Sequence, residues 1–443
     1  NEIFLDINTA SIIPREPAAG YVKGFVADYD TVSIIKRVAG YGTGNFNLEI
    51  LDPRAIEDTN TFQVTFDVNP TRYSVEDLNP IIETRIAKTN VFITFKKTRL
   101  NKDRFILKDK NGIVMTPTTD YLLFAEAGQV VVPDTLNSKI VSGDSVTVEY
   151  THYPLWESKR LNNEESNPVF DGIKIYVKDK SLALNLEKTK WTEGSQGNYQ
   201  VTVGPYDGKQ SNMRPADYEV RWFDEIADTS SLGTATAPFQ IWDATPGKIP
   251  FKKKIAVLDY KIRNKTWDLG ESVVILEEGA GINVSWQIDF ESRQNITVSH
   301  PVGGDIYYIA TDRPFNKEDI YQFKTMASAI NSEIAANELD EIRVVPNPYV
   351  VTNVLEPLDR QNPRDRGPRR VYFDKLPNEC TIRVYTTTGE LVKKIQHVSA
   401  YDDGQEFWDL KTKDNFPIAY GVYIYHVDAG KLGEKIGRLA IIK

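Results

Sequence analysis

The histidines and the single cysteine are the residues best suited to chemistry, and they are scattered along the chain. His152, His300, His397 and His426 each lack a carboxylate at helix or strand spacing, and Cys380 lies in an alternating, strand-like segment. Such spacing supplies neither a zinc site nor an activated thiol. The chain also contains no GxSxG nucleophile elbow and no glycine-rich phosphate loop. We therefore predict a protein that is not an enzyme and that holds no metal or cofactor.

The sequence alone leaves one hydrolytic arrangement possible, a pair of carboxylates. Glycoside hydrolysis needs only two suitably separated carboxylates, and any two of the 62 acidic residues could meet in space. No local pattern selects a pair.

Residues 259–271, with the sequence DYKIRNKTWDLGE, resemble the acidic turns that bind calcium in many secreted β proteins. A hard cation needs oxygen ligands at alternate positions of such a loop. Lys261 and Arg263 occupy those positions and would place positive charge beside the ion. We therefore interpret this segment as a turn without a metal.

Four tryptophans lie beside turns rich in Asp, Asn and Gly, where an indole ring could stack on the face of a sugar: Trp156, Trp191, Trp242 and Trp267. The competing interpretation is that each ring is partly buried at the edge of a sheet, as tryptophan commonly is. Carbohydrate stacking is therefore one hypothesis for these residues, and packing is the other.

Composition limits the class of protein. The chain has 443 residues, of which 41% are hydrophobic and 26% charged, and its formal net charge is −9. An acidic chain without a dominant basic cluster is a poor partner for nucleic acid. No apolar run approaches the ~18 residues that a membrane-spanning helix requires. The chain begins at Asn1, so we expect a processed protein or the C-terminal part of a larger one.

Period-two alternation of apolar residues runs through most of the chain and predicts strands. Asn111-Gly112 additionally predicts a hairpin turn. Helical spacing is clear once, over 325–339, and predicts one short helix. The expected fold class is all-β, with tandem immunoglobulin-like β-sandwich domains and one connecting helix. The longer predicted strands are 172–177, 199–203, 217–223, 239–242, 272–276, 284–290 and 305–310.

Shifts in composition and polar stretches predict five regions along the chain. The segment 13–17 is interpreted as a linker or as the truncated end of an earlier domain, and the polar stretch 157–167 as a separator between two units. The predicted regions are a β-rich domain at 1–82, a small β domain at 83–155, a β-sandwich at 168–324, a helical linker at 325–340 and an immunoglobulin-like module at 342–443.

The last module carries an ordered set of motifs. PNPY at 346–349 and a charged loop at 356–370 precede LPNECTIRVY at 376–385, TGELV at 388–392, WDL at 408–410, GVYIY at 421–425 and GRLAIIK at 437–443. Turn signals at short intervals predict about seven strands and an immunoglobulin-like sandwich. This order of motifs resembles the type A C-terminal sorting domain of proteins exported by the type IX secretion system.

The resemblance covers about 342–443 and implies a fold similar to the immunoglobulin-like domain of flagellar hook-capping proteins. It implies export across the outer membrane of a Gram-negative bacterium, with the type IX machinery as a partner. Arg438 stands where many members of the family have lysine. By motif position, the residues that carry over are Pro346, Asn347, Pro348, Gly389, Glu390, Gly421, Tyr423 and Lys443.

The predicted function is that of a secreted, cell-surface structural or adhesive protein that interacts through strand edges and loops. A filament or surface layer, self-association, contacts with upstream domains of the same polypeptide and binding to a cell-surface glycan are compatible with it. The tail strand at 438–442 is the predicted edge for assembly. The alternative is a non-catalytic carbohydrate-binding region of a secreted hydrolase.

Overall fold

The computed structural model describes residues 16–27, 35–56, 59–67, 72–134, 139–159, 161–162, 166–279, 281–350, 369–400 and 403–442. Strands dominate the chain, and α-helix is confined to one short segment, so the predicted all-β class is confirmed. The linker predicted at 13–17 and the loop predicted at 356–370 lie largely outside the described residues, and part of the 157–167 stretch does as well.

The chain forms two compact units. One contains Asn1–Phe25, Asp52–Thr59 and Met326–Lys443, and the other contains Val26–Leu51 and Asn60–Thr325. The predicted sandwich at 168–324 falls in the second unit, and the predicted C-terminal module falls in the first.

The largest sheet belongs to the second unit, and fully buried residues alternate with less buried ones along Thr61–Asp67 and the first half of Ser145–Leu155. At its centre the long strand Arg72–Ile86 pairs antiparallel with Thr61–Asp67 and with Ser145–Leu155. The boundary predicted at residue 82 therefore falls inside a strand, and independent folding of the ranges 1–82 and 83–155 stays a prediction. The seven strands are Phe25–Ala27, Lys36–Ala39, Ile320–Met326, Thr61–Asp67, Arg72–Ile86, Ser145–Leu155 and Ile106–Lys108.

A small three-stranded sheet shares a hydrophobic core with one face of the long strands. Its strands are Phe92–Thr94, Gln129–Val131 and Leu122–Phe124. The predicted turn at Asn111-Gly112 forms between Ile106–Lys108 and a single bridge at Val114. Gly112 has a φ of 80°, and the Asp109 side chain accepts from the Ile113 amide, which closes the turn.

The second unit also contains a β-sandwich, with aromatic side chains filling its core. A five-stranded and a four-stranded sheet enclose a buried cluster that includes Trp222, Trp286 and Phe290. The predicted strands of this region are confirmed to within one or two residues at their ends. The first sheet contains Lys190–Trp191, Ile306–Ile309, Tyr218–Trp222, Phe239–Asp243 and Phe251–Lys252, and the second contains Gln200–Pro205, Asn283–Glu291, Ser272–Glu277 and Lys254–Leu258.

The C-terminal module is also a two-sheet sandwich. Its core includes Trp408, Phe373, Tyr349 and Leu439. The three-stranded sheet contains Arg343–Val345, Val371–Asp374 and Glu406–Trp408. The five-stranded sheet contains, in spatial order, Tyr349–Val350, Glu434–Ile442, Gly421–Asp428, Glu379–Thr386 and Leu391–Val398.

The helix is shorter than predicted and spans Ser332–Glu338. Asn331 ends the helical pattern on the N-terminal side, because its side chain accepts from the amides of Glu333 and Ile334 and caps the first turn. Met326 and Ile330, which lie four residues apart within the predicted helix 325–339, instead belong to the strands Ile320–Met326 and Ala329–Ile330. Pairing with neighbouring strands therefore overrides a spacing that also suits a helix.

Short elements complete the described chain. Separate two-stranded sheets in the described residues pair Tyr21–Val22 with Ala329–Ile330, Asn45–Ile50 with Ile173–Lys178, Ala183–Leu184 with Thr311–Asp312, and Asp228–Thr229 with Thr236–Ala237. The 3-10 helices are Pro53–Ala55, Lys102–Arg104, Tyr206–Gly208, Gln210–Asn212, Leu339–Glu341 and Gly430–Leu432. No helix in the described part of the chain is long and apolar enough to cross a membrane.

Candidate functional site

An open pocket of about 680 Å³ lies where the strand Ser145–Leu155 ends. Its volume is in the range of pockets that hold small ligands. We call it the Trp156 pocket and define it by Arg99, Asn101, Asp103, Glu126, Tyr153 and Trp156.

Backbone pairing places one wall of this pocket beside the strand. The Tyr153 amide donates to the Arg99 carbonyl at 2.9 Å, and the Asn101 amide donates to the Thr151 carbonyl at 2.9 Å. After Asn101 the chain turns into the 3-10 helix Lys102–Arg104, and the Asn101 side chain caps it by accepting from the Asp103 amide at 3.0 Å. The side chains of Arg99 and Asp103 are thereby held at the pocket wall.

A buried carboxylate supports the same wall from behind. The Glu76 side chain is almost fully buried. It accepts from the side-chain amide of Asn101 at 2.7 Å and from the Thr151 hydroxyl at 2.6 Å. Arg104 approaches it to 3.5 Å. Since a buried charge needs partners, these contacts fix Asn101 in one orientation.

A tight turn that carries Glu126 also lines the pocket. The Leu100 amide donates to the Ala125 carbonyl at 2.9 Å, and the Gly128 amide donates to the same carbonyl at 3.1 Å. Gly128 has a φ of 65°, and a Cβ there would lie 2.1 Å from the Lys97 carbonyl oxygen. Only glycine fits this turn without a shift of the backbone, so Gly128 sets the position of Glu126.

Two aromatic rings form the floor. Tyr153 and Trp156 meet edge to face, with centroids 4.6 Å apart, and 45% of Trp156 is exposed. Burial, with smaller contributions from the charges of Glu76 and Asp103, raises the pKa of Tyr153 to about 12. Its hydroxyl is therefore a protonated donor at neutral pH. An exposed indole flanked by donors and acceptors is suited to a ligand with an apolar face and hydroxyl edges.

The other three predicted stacking residues differ from Trp156 in exposure. Trp267 is 8% exposed in the sandwich core, and its indole N–H donates to the Glu271 carbonyl, so its ring is unavailable to a sugar. Trp191 packs partly buried against the same core. Trp242 has the Arg221 guanidinium 4.6 Å from its ring centroid, so one face is covered. Trp156 alone of the four combines an exposed ring with a pocket.

Tertiary structure brings carboxylates to two histidines that lack them by sequence spacing. His397 Nδ1 lies 3.1 Å from a Glu406 oxygen, and His426 Nε2 lies 2.8 Å from a Glu434 oxygen. Burial raises the pKa of the Cys380 thiol to about 12, so it is protonated and unreactive. Among the described residues, no cluster of three or more His, Cys, Asp or Glu side chains could hold a metal.

The acidic loop uses its carboxylates internally. Asp259 accepts from the Lys265 amide at 2.8 Å, and Glu271 accepts from the Lys261 amide at 2.9 Å. Such bonds to the loop's own backbone stabilise the turn.

The sorting-motif residues of the C-terminal module lie in turns, in the core and at a side-chain contact with the terminal strand. Gly389 lies in a turn with a φ of 90°, where the Glu390 amide donates to the Thr386 hydroxyl. Gly421 opens the strand Gly421–Asp428. Tyr423, on that strand, is buried in the core. Lys443 lies outside the described residues.

Asn347, which lies between Pro346 and Pro348, bonds to the terminal strand, and we call this pair of hydrogen bonds the Asn347 latch. Its side-chain amide donates to the Arg438 carbonyl at 2.8 Å, and its side-chain oxygen accepts from the Ala440 amide at 3.1 Å. The strand Tyr349–Val350 then pairs parallel with Ile441 and Ile442. The tail at 438–442 is therefore an interior strand, so the prediction that it is a free edge is wrong.

Tyr153, Arg99, Asn101 and Glu126 were not singled out from the sequence. Tyr153 and Trp156 lie close together at the end of an alternating segment, and that spacing was an available signal. Arg99, Asn101 and Glu126 come from earlier parts of the chain, and only the fold brings them to the pocket.

Comparison with known proteins adds little. No family model and no curated protein matches the chain. One solved structure that aligns is PorZ, described as an essential bacterial surface component of the type-IX secretion system of Porphyromonas gingivalis. Its sequence identity is 14% and its TM-score is 0.21. The match covers 99% of this chain and 61% of that one. Similarity at this level carries no argument about fold or function.

Proposed function

We propose that this chain is a secreted, cell-surface structural or adhesive protein of a Gram-negative bacterium, and that residues 342–443 direct its export through the type IX machinery. The observation that carries the proposal is the latch at Asn347. It joins PNPY to GRLAII, the first and last motifs of the set, on adjacent strands. Motifs that are far apart in sequence thus form one surface that a secretion receptor could recognise.

Fractionation of the native host tests this proposal. We expect deletion of 344–443 to retain the protein in the periplasm, while protease resistance of the remaining chain reports that it is folded. Lys443→Ala should reduce surface delivery. Lys431→Ala, an exposed lysine of the same module, is the matched control and should be delivered normally. Normal surface delivery of the deletion variant would overturn the export function.

Glycan binding is the second candidate function, favoured by the exposed ring of Trp156 in its pocket. The pocket offers donors from Arg99 and Tyr153 and acceptors from Asp103 and Glu126. Among these side chains, Arg99 carries a positive charge while Asp103 and Glu126 carry negative charges, which suits an uncharged sugar better than an anionic one. This function serves adhesion and also serves the alternative of a non-catalytic region in a hydrolase.

Calorimetric titration of the full chain with neutral hexose oligosaccharides tests the second function. Loss of the stacking ring in Trp156→Ala should weaken binding at least about tenfold, because aromatic contacts dominate such sites. Trp242→Ala is the matched control, since Arg221 covers that ring, and it should bind as the parent does. Equal affinities of all three proteins, or no binding by the parent, would reject the Trp156 pocket as a glycan site.

A further inference from the structure

Two successive strands of the C-terminal sandwich lie at the edges of its two sheets, and the Lys413 amide covers the beginning of the first edge by donating to the Val392 carbonyl. Leu391–Val398 is the last strand of the five-stranded sheet, and Glu406–Trp408 is the last strand of the three-stranded sheet. The Ser399 amide donates inward to the Asn378 carbonyl. By alternation, the backbone groups of Lys394, Gln396 and Val398 face outward. Within the described residues, none of these outward groups has a hydrogen-bond partner.

A cavity of about 320 Å³ opens beside this edge. Its lining includes Arg370, Tyr372, His397, Val398, Glu406 and Phe407. The cavity could therefore receive a side chain of a strand that is added along this edge.

Two buried nitrogen atoms at this cavity lack partners. His397 is 2% exposed, and its Nδ1 faces the Glu406 carboxylate, which can only accept. Nδ1 therefore carries a proton, and in the uncharged form of the ring Nε2 presents a lone pair. Neither this Nε2 nor the Nε–H of Arg370 has a hydrogen-bond partner in the described structure. Buried polar atoms without partners are rare in folded proteins, and a ligand is one explanation.

We propose that this side of the module binds an extended peptide segment of a partner protein, which adds a strand along Lys394–Val398 and inserts an amide side chain into the cavity. An Asn or Gln amide carries both the donor that His397 Nε2 accepts from and the acceptor that Arg370 Nε–H requires. Strand addition to an exposed edge is a general mode of peptide recognition, in which backbone bonds give affinity and a side-chain pocket gives specificity.

Charge identifies the kind of partner. Lys393 and Lys394 are adjacent in the middle of the edge strand, and the strand Leu391–Val398 carries no acidic residue. A second copy of this chain would bring its own two lysines to the same place, and lysines on an edge oppose such pairing. Asp403 and Glu406 line the cavity, so a complementary segment carries its acidic residues on the outer face and not on the face that enters the cavity. The occupant is therefore an acidic strand of another protein and not a second copy.

Fluorescence anisotropy of a labelled peptide with the full chain tests the proposal. The probe is acetyl-Glu-Val-Glu-Asn-Glu-Val-Glu-amide, in which Val, Asn and Val share the inward face. We expect saturable binding below about 1 mM, in the range of weak strand-addition contacts. Absence of saturable binding at that concentration would overturn the proposal.

Two matched variants separate strand addition from nonspecific attraction. Gln396→Pro removes an outward N–H that makes no ladder bond, so the module should stay folded while peptide affinity falls at least about tenfold. Gln396→Ala removes the same side chain but keeps the N–H, and it should bind as the parent does. Equal binding by Gln396→Pro, with the parent's melting temperature, would overturn strand addition.

The cavity contact is tested by changing the peptide as well as the protein. Arg370→Met should weaken binding of the Asn peptide about fivefold or more and leave binding of the corresponding Ala peptide unchanged. If both peptides weaken equally in Arg370→Met, the amide does not enter the cavity, and the proposal fails at that step.

Discussion

Trp156 and Trp267 share a residue type and a sequence context beside polar turns, yet their surroundings in the fold are opposite. Trp156 is 45% exposed and lies at the floor of an open pocket. Trp267 is 8% exposed, and its ring centroid lies 5.3–5.5 Å from those of Phe239, Trp222 and Phe290. Turn-rich flanking sequence places a tryptophan near a sheet end and does not determine which way its ring points.

The difference follows from what each ring can reach. The Trp267 segment returns over the sandwich, and its indole N–H donates to the Glu271 carbonyl, so both the polar and the apolar part of the side chain are satisfied internally. At Trp156 the strand Ser145–Leu155 has just ended, and the Tyr153 ring meets the indole edge to face while nearly half of the Trp156 surface stays exposed. The first ring contributes to stability and the second is available to a ligand.

The largest expected effect is on the core ring. Trp267→Ala should lower the free energy of unfolding by about 3–5 kcal/mol, because it leaves a cavity among packed aromatic rings. Urea unfolding followed by circular dichroism measures this change. A loss below about 1 kcal/mol would mean that the Trp267 ring is not packed as the structure has it.

The next effect concerns the carboxylate behind the Trp156 pocket. Glu76→Ala should lower the free energy of unfolding by about 1–3 kcal/mol, because the Asn101 and Thr151 side chains lose a buried acceptor. In this variant the Asn101 side chain loses its fixed orientation at the pocket wall, so the affinity for oligosaccharide should fall too. Glu126→Ala is the matched control, since Glu126 is exposed, and its unfolding free energy should stay near the parent's.

Acid should destabilise the strands beneath the Trp156 pocket through His152. Burial, and to a lesser extent the charge of Lys97, lowers the pKa of His152 to about 4. Between pH 6.5 and 4 the unfolded chain therefore binds more protons at this residue than the folded one, and stability falls as pH falls. In His152→Gln, this part of the acid sensitivity should disappear in urea titrations at pH 7 and pH 5.

Asp77 pairs with His152 on the neighbouring strand, and its substitution should change the acid sensitivity of folding in the opposite direction. Burial raises its pKa to about 6, so the folded chain binds more protons than the unfolded one between that value and the usual carboxyl range. Its contribution is present at low pH and is lost as pH rises through about 6. Asp77→Asn should therefore make the protein more acid-sensitive. A change of the same sign in both variants would contradict these pKa directions.

The smallest expected effect is on the stability of the Trp156 variant. Trp156→Ala should change the free energy of unfolding by no more than about 0.5–1 kcal/mol, as is usual for exposed positions. Thermal unfolding, run beside the oligosaccharide titration, measures it. Destabilisation as large as that of Trp267→Ala would erase the contrast between the two rings.

The sequence by itself determined the all-β class, most strand positions in the sandwich and the absence of local catalytic motifs. Period-two alternation carries this information directly, because each strand buries one face and exposes the other. It also placed the motifs of the C-terminal module in order, and Trp156 among the candidate stacking residues.

Only the tertiary structure decided what lies beside each of these elements. The alternation in 437–442 says that a strand forms there, but not that the Asn347 amide and Tyr349–Val350 close its outer edge. Likewise, the 3.6-residue spacing over 325–339 could not reveal that Ala329–Ile330 pairs with Tyr21–Val22. Contacts between residues hundreds of positions apart depend on the register and packing of whole sheets, and local patterns carry no record of them.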